Sequence, residues 1–545
     1  MGFREPSSQP SISFVAGVAG NLASPDAADF LRSLDGSKNL IATTNLQVRE
    51  VGTVAKKTEG GFIWQPALDP GRPPSGWRDA SQNFFAAGIL LLGDEWVLFT
   101  DSIGAHSIYL REIESTLFFA TRVGPLLPIG DSLHVDWKGW GHTFIIGAPL
   151  GRSTHFEEVR RLPAATGRLL GPSALTREVS YTPKWMSDSS DQPSPGDIVD
   201  ALRDALPRGR FLKKPPSLTL SGGWDSRLLA ILSRDKYLRR LTAWTTDADD
   251  GTDRDAQYAS EVARRLRFPH VVVSQPSHAW QELTAETRVR LQYETWLHAW
   301  LEQLCREMRE RESGVIDGLA GDVLIKGLFV DTRVLGVEEH ARMETLFSGV
   351  AYRQRSDRVR RTVIDRATEE SRLSFFETAG RFEGHVNQLA LTVLATRTAH
   401  PIALSPLMMF SPELDVFLPF LDPTVVSLTL SIEPEHKTDG RLYRRVLHQA
   451  SPSMADLPST NDSQPVKKTR RVQQSSDEYV AWMIASIEES DAALDLVDPE
   501  FRRDLRKVAP NGFDVRTTRA LQILSLFAQW ATANQRYLTS IEYPY

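Results

Sequence analysis

The chain has one cysteine, Cys305, among 545 residues. No intrachain disulfide can form, which fits a reducing compartment. Cys305 lies in a helix-like run, residues 296–308, with apolar neighbours at helical spacing, and it reads as a buried packing residue. Long apolar runs are also missing. The most apolar early stretch, residues 84–92, is broken by Gly93-Asp94-Glu95 and reads as a buried strand. The opening MGFREPSSQPSISF lacks the basic start and apolar core of a signal peptide. No membrane partner is therefore expected, and a cytoplasmic location is. There is no basic excess: 63 Lys and Arg face 69 Asp and Glu, for a net charge of -6 and a pI near 6.1. That balance argues against a dedicated nucleic-acid binder. The 12 histidines show no ligand spacing; His106, His142 and His155 are scattered, and no zinc site is expected. Residues 247–255 (DADDGTDRD) lack the spacing and terminal Glu of a calcium loop and read as a solvated loop and helix cap.

What is present is an ordinary globular composition, 41% hydrophobic and 24% charged, over a length that suits about two to four domains. Residues from about 12 to 185 are rich in short apolar or β-branched runs, such as 87–92, 95–100 and 117–120, punctuated by Gly, Asp and Pro. Residues 187–196 (SDSSDQPSPG) form a polar linker, so the expected division is 1–190 and 191–545. After it, short strands at 217–220, 241–245 and 270–274 alternate with helical patterns at 198–206, 228–232 and 255–266. Such alternation means a parallel, helix-covered sheet. One long helical stretch is expected over 278–311, and a mainly helical region from about 330. Residues 459–476 read as a long polar loop.

The segment LTLSGGWDSRLLA, 218–230, is an apolar strand, a Ser-Gly-Gly turn and a helix. Gly222 and Gly223 let the backbone bend tightly and approach a ligand closely. Ser221 and Ser226 supply hydroxyls. The helix start offers unpaired N–H groups and a positive dipole end. Together these suit a pyrophosphate. Asp225 beside a phosphate calls for a cation between them, and Mg²⁺ binds both carboxylate and phosphate oxygens. A plain strand-to-helix turn would need none of this, and a bare SGG is common; the whole string is far more specific. About a hundred residues on, a second turn, Asp317-Gly318-Leu319-Ala320-Gly321-Asp322, also follows a short strand and opens a helix. Seen alone it would be structural. In a parallel sheet both turns fall on the carboxyl edge, where ligands bind, so Asp225 and Asp322 could share one Mg²⁺. Trp224 reads as a packing or substrate-lining side chain.

These residues resemble the asparagine synthetase superfamily, and the resemblance covers nearly the whole chain. SGGWDS matches that family's pyrophosphate loop, SGGxDS. Asp255, Ala259 and Ala263 match its acidic-then-alanine helix, DGLAGD its second loop (SGEGAD), and Pro419-Phe420-Leu421-Asp422 its PFLD segment. Lys437 and the following LYRRVL resemble the family's lysine and K-x-x-L-R helix. Upstream, WVLFTDSIGAHSIYL with LFFATR resembles the glutaminase half's RDxxGxxPLY…ASE, and PAATGRLL its PPG turn. The resemblance implies a two-part α/β and α+β architecture. Its N-terminal part would be a β-rich, glutaminase-like sandwich of the Ntn-hydrolase type. Its C-terminal part would be a parallel-sheet ATP-pyrophosphatase (adenine nucleotide α-hydrolase-like) synthetase domain with a helical second half.

The departures from the family pattern are informative. A glutamine-dependent synthetase needs an N-terminal cysteine nucleophile, but here Met1 precedes Gly2 and the only cysteine is Cys305. A glutaminase-like domain without its nucleophile implies an amine that is not drawn from glutamine. Among the branches that fit, β-lactam and carbapenam synthetases carry a tyrosine three residues before the second aspartate, and asparagine synthetase has Glu there. Leu319 stands at that position. The stretch LPSTND, 457–462, and the long C-terminal half resemble the lasso-peptide macrocyclases. The resemblance then implies ATP and Mg²⁺ as cofactors and a precursor core peptide as substrate. A leader peptidase and a leader-binding protein of the same pathway would be partners. The peptide's Asp or Glu carboxylate would be adenylated, with release of pyrophosphate. Its N-terminal amine would then form an isopeptide bond and release AMP.

Residue by residue, Asp225 and Asp322 match the metal ligands. Ser221, Gly222, Gly223, Asp225 and Ser226 match the pyrophosphate loop. Leu220, Thr245 and Gly318 fall at adenosine-contacting positions. Lys467 and Lys468, within VKKTRR, occupy the region of the small-ring enzymes' catalytic lysine, although a basic run in a loop also reads as a solvated surface. The alternatives are a β-lactam-type or other amide-forming ligase, and a non-catalytic ATP-binding scaffold in a biosynthetic complex. Intact Asp225 and Asp322 weigh against the scaffold.

Overall fold

The computed structural model describes residues 13–544 except 65–72, 172–176, 188–191, 208–214, 238–240, 248–253, 276, 353, 355–356, 412, 463–475 and 506–514. Among these residues, the N-terminal part holds two six-stranded antiparallel sheets packed face to face. One runs Val159–Arg161, Tyr109–Ile113, Thr116–Ala120, Phe14–Ala19, Leu46–Val51, Lys38–Ala42. The other runs Arg177–Ser180, Thr166–Leu170, Glu95–Phe99, Ala87–Leu92, Gly61–Trp64, Ala55–Thr58. Leu46–Val51 shows why a sandwich forms. Leu46, Val48 and Glu50 face inward while alternate residues are half-buried, the period-two pattern of a strand with one covered face. Val15, Val48, Ile89, Leu98 and Phe119 meet between the sheets. Each such side chain contributes about 1.5–3 kcal/mol by leaving water. The hairpin joining Ala87–Leu92 to Glu95–Phe99 turns on two residues, and the first, Gly93, has φ 62. That is where a type II′ turn demands glycine.

The C-terminal part is built on five parallel strands in the order His270–Ser274, Ala243–Asp247, Ser217–Thr219, Gly314–Ile316, Asp415–Phe417. From the central strand Ser217–Thr219 the chain first winds one way, through the helices Trp224–Tyr237 and Arg254–Leu266. It then crosses to Gly314–Ile316 on the other side. The gap between Ser217–Thr219 and Gly314–Ile316 is therefore a topological switch point. The crevice at the carboxyl ends of two such strands is where an open α/β sheet binds ligands.

Two expectations need correction. The long helix expected over 278–311 is broken. Trp280–Arg290 ends, Gln292, Tyr293 and His298 take positive φ (54, 61 and 76), and Glu302–Arg311 starts afresh. Helical apolar spacing on both sides hid a tertiary break. Its middle residue, Glu294, is buried, accepts the Tyr109 hydroxyl and lies 3.0 Å from His400 Nε2. The region after 330 is mainly helical but also supplies the edge strand Asp415–Phe417, three residues too short to show a period of two.

The two parts share one interface. Helix Arg361–Gly380 packs on Trp137–Ile145, and Ser374 Oγ lies 3.0 Å from His142 Nε2. Leu133 N–H donates to the Tyr537 carbonyl (2.7 Å) and Tyr352 N–H to that of Ile145 (2.7 Å).

Candidate active site at the switch point

The first turn is braced by its own serines. Ser221 N–H donates to Ser226 Oγ (2.9 Å), and the two hydroxyls lie 2.8 Å apart. Gly222 is required by a close approach: a Cβ there would sit 3.0 Å from Tyr258 Cβ and 3.1 Å from the Asp255 carbonyl oxygen. Helix Trp224–Tyr237 begins immediately after Gly223, four residues before the expected start.

The N–H groups of the turn are not left unpaired, contrary to expectation. Gly222 N–H donates to Asp255 Oδ1 (2.9 Å), Gly223 N–H to Ser221 Oγ (3.2 Å) and Trp224 N–H to Asn461 Oδ1 (2.9 Å). Buried N–H groups need acceptors, and this fold draws two of them from distant segments. Ser459 Oγ donates to the Gly222 carbonyl (2.9 Å), as does Thr460 N–H (3.2 Å). Buried Arg227 fastens this covering segment, donating to the carbonyls of Met454, Leu457 and Pro458. The stretch LPSTND thus lies directly on the SGG turn. Asp255, at the start of helix Arg254–Leu266, accepts Gly222 N–H; residues 248–253 of the stretch read as a solvated loop lie outside the described residues.

The second turn meets the first at Asp225. A Cβ on Gly318 would lie 3.2 Å from Asp225 Cβ, and one on Gly321 would lie 2.7 Å from Asp225 Oδ1. Glycine at both positions allows this contact. Asp317 fixes the turn by accepting Thr219 Oγ1 (2.9 Å) and Leu319 N–H (3.0 Å). Asp225 and Asp322 are both half-buried. Burial, and then the charge of Asp322, pushes the Asp225 carboxyl well above the usual carboxylate range; burial pushes Asp322 up as well. The charge of Lys326 opposes the rise at both, and that of Arg397 opposes it at Asp322. The buried Tyr443 hydroxyl is turned to Asp225 and finds no other partner among the described residues. Two confined carboxyls, both raised by burial and Asp225 further by the charge of Asp322, with a phenol beside them, fit a divalent cation held by oxygen ligands.

The remaining expected residues divide in three. Leu220 directly follows strand Ser217–Thr219, whereas Thr245 stands in the middle of strand Ala243–Asp247 rather than at the end of a strand 241–245, and the two are tied to each other. Thr245 Oγ1 donates to the Leu220 carbonyl (2.6 Å) and contacts His270 Nε2 (2.8 Å), while Leu220 N–H donates to Trp244 (2.8 Å). Gly318 borders the acid pair. Lys467 and Lys468 lie outside the described residues. Trp224 is a packing residue, buried against Tyr443 with Lys326 and Arg444 over its ring. Lys437, matched to the family's lysine, is buried and donates to Asn387 Oδ1 (2.9 Å); burial pushes it down to about 7. Leu319 is buried and adds no polar group to the cleft. Sequence reasoning missed Lys326, Tyr443, Arg397 and Asn461. Lys326 alone carried a usable signal, one helical turn after Asp322.

A family model for asparagine synthase matches residues 197–531, more than half of the chain. The chain belongs to the asparagine synthase family. This asparagine synthase relative is accordingly an ATP-dependent amide-forming ligase by family, and the matched span contains both aspartate turns. No curated protein matches the chain.

In the N-terminal part of this family member, the TDSIGAH loop turns on Asp101. Its Oδ1 accepts the N–H groups of Ile103, Gly104 and Ala105, and its Oδ2 accepts that of His106 (2.7 Å). That carboxylate therefore organises its own loop. Cys305 is buried in helix Glu302–Arg311, where burial raises its thiol pKa, and it serves as packing. No helix among the described residues is long and apolar enough to cross a membrane.

Proposed function

We propose that this protein closes a ring in a ribosomally made peptide. It would adenylate an Asp or Glu side-chain carboxylate with MgATP and join it to the peptide's N-terminal amine. An ionised carboxylate is a poor electrophile, so it attacks the α-phosphate of ATP, forming acyl-AMP and releasing pyrophosphate. The amine then attacks the acyl carbon, and the C–O bond to AMP breaks. The observation that carries the reading is the contact of the two aspartate turns at the switch point, Gly321 against Asp225 Oδ1.

Mg²⁺, held by Asp225 and Asp322, would supply charge neutralisation for the phosphates. The residues of the chain do the rest by position and charge. Ser221, Gly222, Gly223 and Ser226 receive the pyrophosphate end, and Leu220, Thr245 and Gly318 border the adenosine. Lys326 adds positive charge beside the acid pair. Lys467 or Lys468 is assigned the charge that develops on the phosphates. Buried Leu319 supports the macrocyclase reading over the small-ring one, because it offers no polar group where those enzymes carry tyrosine. The parts 1–190 and 191–545 are taken as scaffold and synthetase, with a leader peptidase and leader-binding protein supplying the trimmed peptide. The test is product analysis with synthetic leaderless peptides bearing one internal Asp or Glu. AMP, pyrophosphate and a peptide lighter by one water are expected, and Asp225→Asn should abolish all three. ADP, or a linear product, sinks the reading.

A further inference from the structure

A cleft of about 680 Å³ opens between the two parts, within the size range of ligand sites. Ile103, Leu150 and Trp185 line it from the N-terminal part, and Phe382, Leu391 and Leu394 from the C-terminal part. Among the described residues, none of either aspartate turn lines it. Its charged lining is uneven. Lys138, Arg152, Arg161 and Arg381 stand against only Glu178 and Glu377. Glu178 is taken by Arg152, whose Nη1 lies 3.0 Å from its Oε1, and by Arg168 (3.2 Å). The charge of Glu377 acts on Arg381. The walls therefore keep a positive excess.

Arg161 is the cation left without a partner. It is 8% exposed, and its guanidinium makes no hydrogen bond or ion pair among the described residues; Nη1 is wholly buried. Burial pulls its pKa down, against the pull of Tyr109, Glu294 and Asp101. Both carboxylates are engaged elsewhere. Glu294 accepts the Tyr109 hydroxyl and lies 3.0 Å from His400 Nε2, and Asp101 accepts the N–H groups of residues 103–106. A buried cation without a direct counter-ion is costly. Its place is fixed: Arg161 N–H donates to the Arg152 carbonyl (2.9 Å), and Arg152 pairs with Glu178. The same cleft is bordered by an open sheet edge, because Arg177–Ser180 is the last strand of its sheet. Tyr181 N–H bonds to the Ala165 carbonyl (3.1 Å). By the alternation of an antiparallel ladder, residues 177 and 179 turn their backbone groups to the neighbouring strand, and Glu178 and Ser180 turn theirs outward. Both residues line the cleft, and their outward groups have no backbone partner among the described residues. Such an edge accepts an added strand.

We propose that this cleft binds an extended peptide segment, which adds to the sheet edge at Glu178 and Ser180 and sets a carboxylate on Arg161. Main-chain bonds along the edge give affinity, and the apolar lining takes alternate side chains. A guanidinium holds a carboxylate through two parallel N–H donors, and Lys138 and Arg381 add attraction for an acidic segment. An acidic side chain and a C-terminus present the same group. The binding does not rest on the proposed reaction and needs neither ATP nor Mg²⁺.

The test uses the full chain without ATP and pools of acetylated hexapeptides randomised over apolar and hydroxyl residues. One pool carries an internal Glu and a C-terminal amide. A second has Gln in its place, and a third has Gln with a free C-terminal carboxylate. Retained members are identified by mass spectrometry, and their affinities are measured by calorimetry. Wild type should retain a carboxylate pool over the Gln amide pool, and the pool that is retained identifies the source of the carboxylate. Arg161→Gln should weaken binding about 10- to 100-fold and erase the preference, and Arg161→Lys should recover part of it. Ser180→Pro removes an outward N–H and leaves the ladder to Thr166–Leu170 intact, so it should keep the fold and lose about 10-fold in affinity. Circular dichroism and thermal unfolding check folding, and Ser180→Pro carries the test if Arg161→Gln unfolds. Three results overturn the inference: no carboxylate preference in wild type, a preference that survives Arg161→Gln, or full affinity in a folded Ser180→Pro protein.

Discussion

Replacing Gly321 with alanine would add a methyl group 2.7 Å from Asp225 Oδ1 and 2.9 Å from both Asp225 Cγ and Phe420 Cε2. Ordinary carbon contacts lie near 3.5 Å or beyond, so the carboxyl, the turn or the ring must yield by roughly half an ångström. Phe420 is fully buried and is the worst placed to yield. The Asp225 side chain is therefore the group that swings, and it leaves its place beside the second turn. Overpacking of this kind costs about 1–3 kcal/mol of stability. A reacting-group displacement approaching 1 Å costs on the order of 100-fold in rate. Gly321→Ala should thus keep the fold with a modest drop in unfolding temperature, and lose about 10- to 100-fold in AMP formation. Gly380→Ala is the control, because a Cβ there meets nothing within 4 Å and the residue ends helix Arg361–Gly380. It should be neutral or slightly stabilising and fully active. The assay is release of labelled AMP alongside a thermal melt. Wild-type activity in a folded Gly321→Ala protein would refute the claim that the contact of the two turns sets the site.

Three further perturbations follow from the same geometry. Tyr443→Phe removes a hydroxyl that pulls the Asp225 carboxyl down, so the pH at which MgATP binding reaches half its maximum should move upward; an unchanged profile separates Tyr443 from the acid pair. Asn461→Ala removes the oxygen accepting Trp224 N–H, which should tighten MgATP binding while costing about 1 kcal/mol of helix capping, and calorimetry that finds weaker binding contradicts the overlap. Lys437, held down to about 7 in the fold and near 10.4 when unfolded, makes the unfolded chain bind more protons between those values. Stability should therefore rise with pH across about 7–10 by a few kcal/mol. Lys437→Met should flatten that rise in melts run at several pH values, and an equal slope in both proteins excludes Lys437 as its source.

The sequence carried the local features well and the long-range ones poorly. His270–Ser274 and Ala87–Leu92 were legible because each is a short apolar or β-branched run with clear punctuation. The SGG and DGLAGD turns were legible because glycine at a close approach leaves few other reasons for its presence. The break at 291–298 was not, since the residues holding it open, Tyr109 and His400, lie far away in sequence. Nor was the engagement of the turn's N–H groups, because Asn461 is 237 residues from Trp224. Tyr443 and Arg397 sit on helices whose sequence gives no sign of what they face. Lys437 was legible only as a match to the family's lysine; its burial against Asn387, 50 residues away, had no local signal.

The central claim is that a carboxylate attacks the α-phosphate of ATP at the crevice between Asp225 and Asp322. Labelling the acidic side chain of a substrate peptide with ¹⁸O and following the isotope tests it most directly. The account predicts one ¹⁸O atom in the AMP released, none in pyrophosphate, and no transfer with Asp225→Asn. Isotope appearing in inorganic phosphate alongside ADP would contradict it.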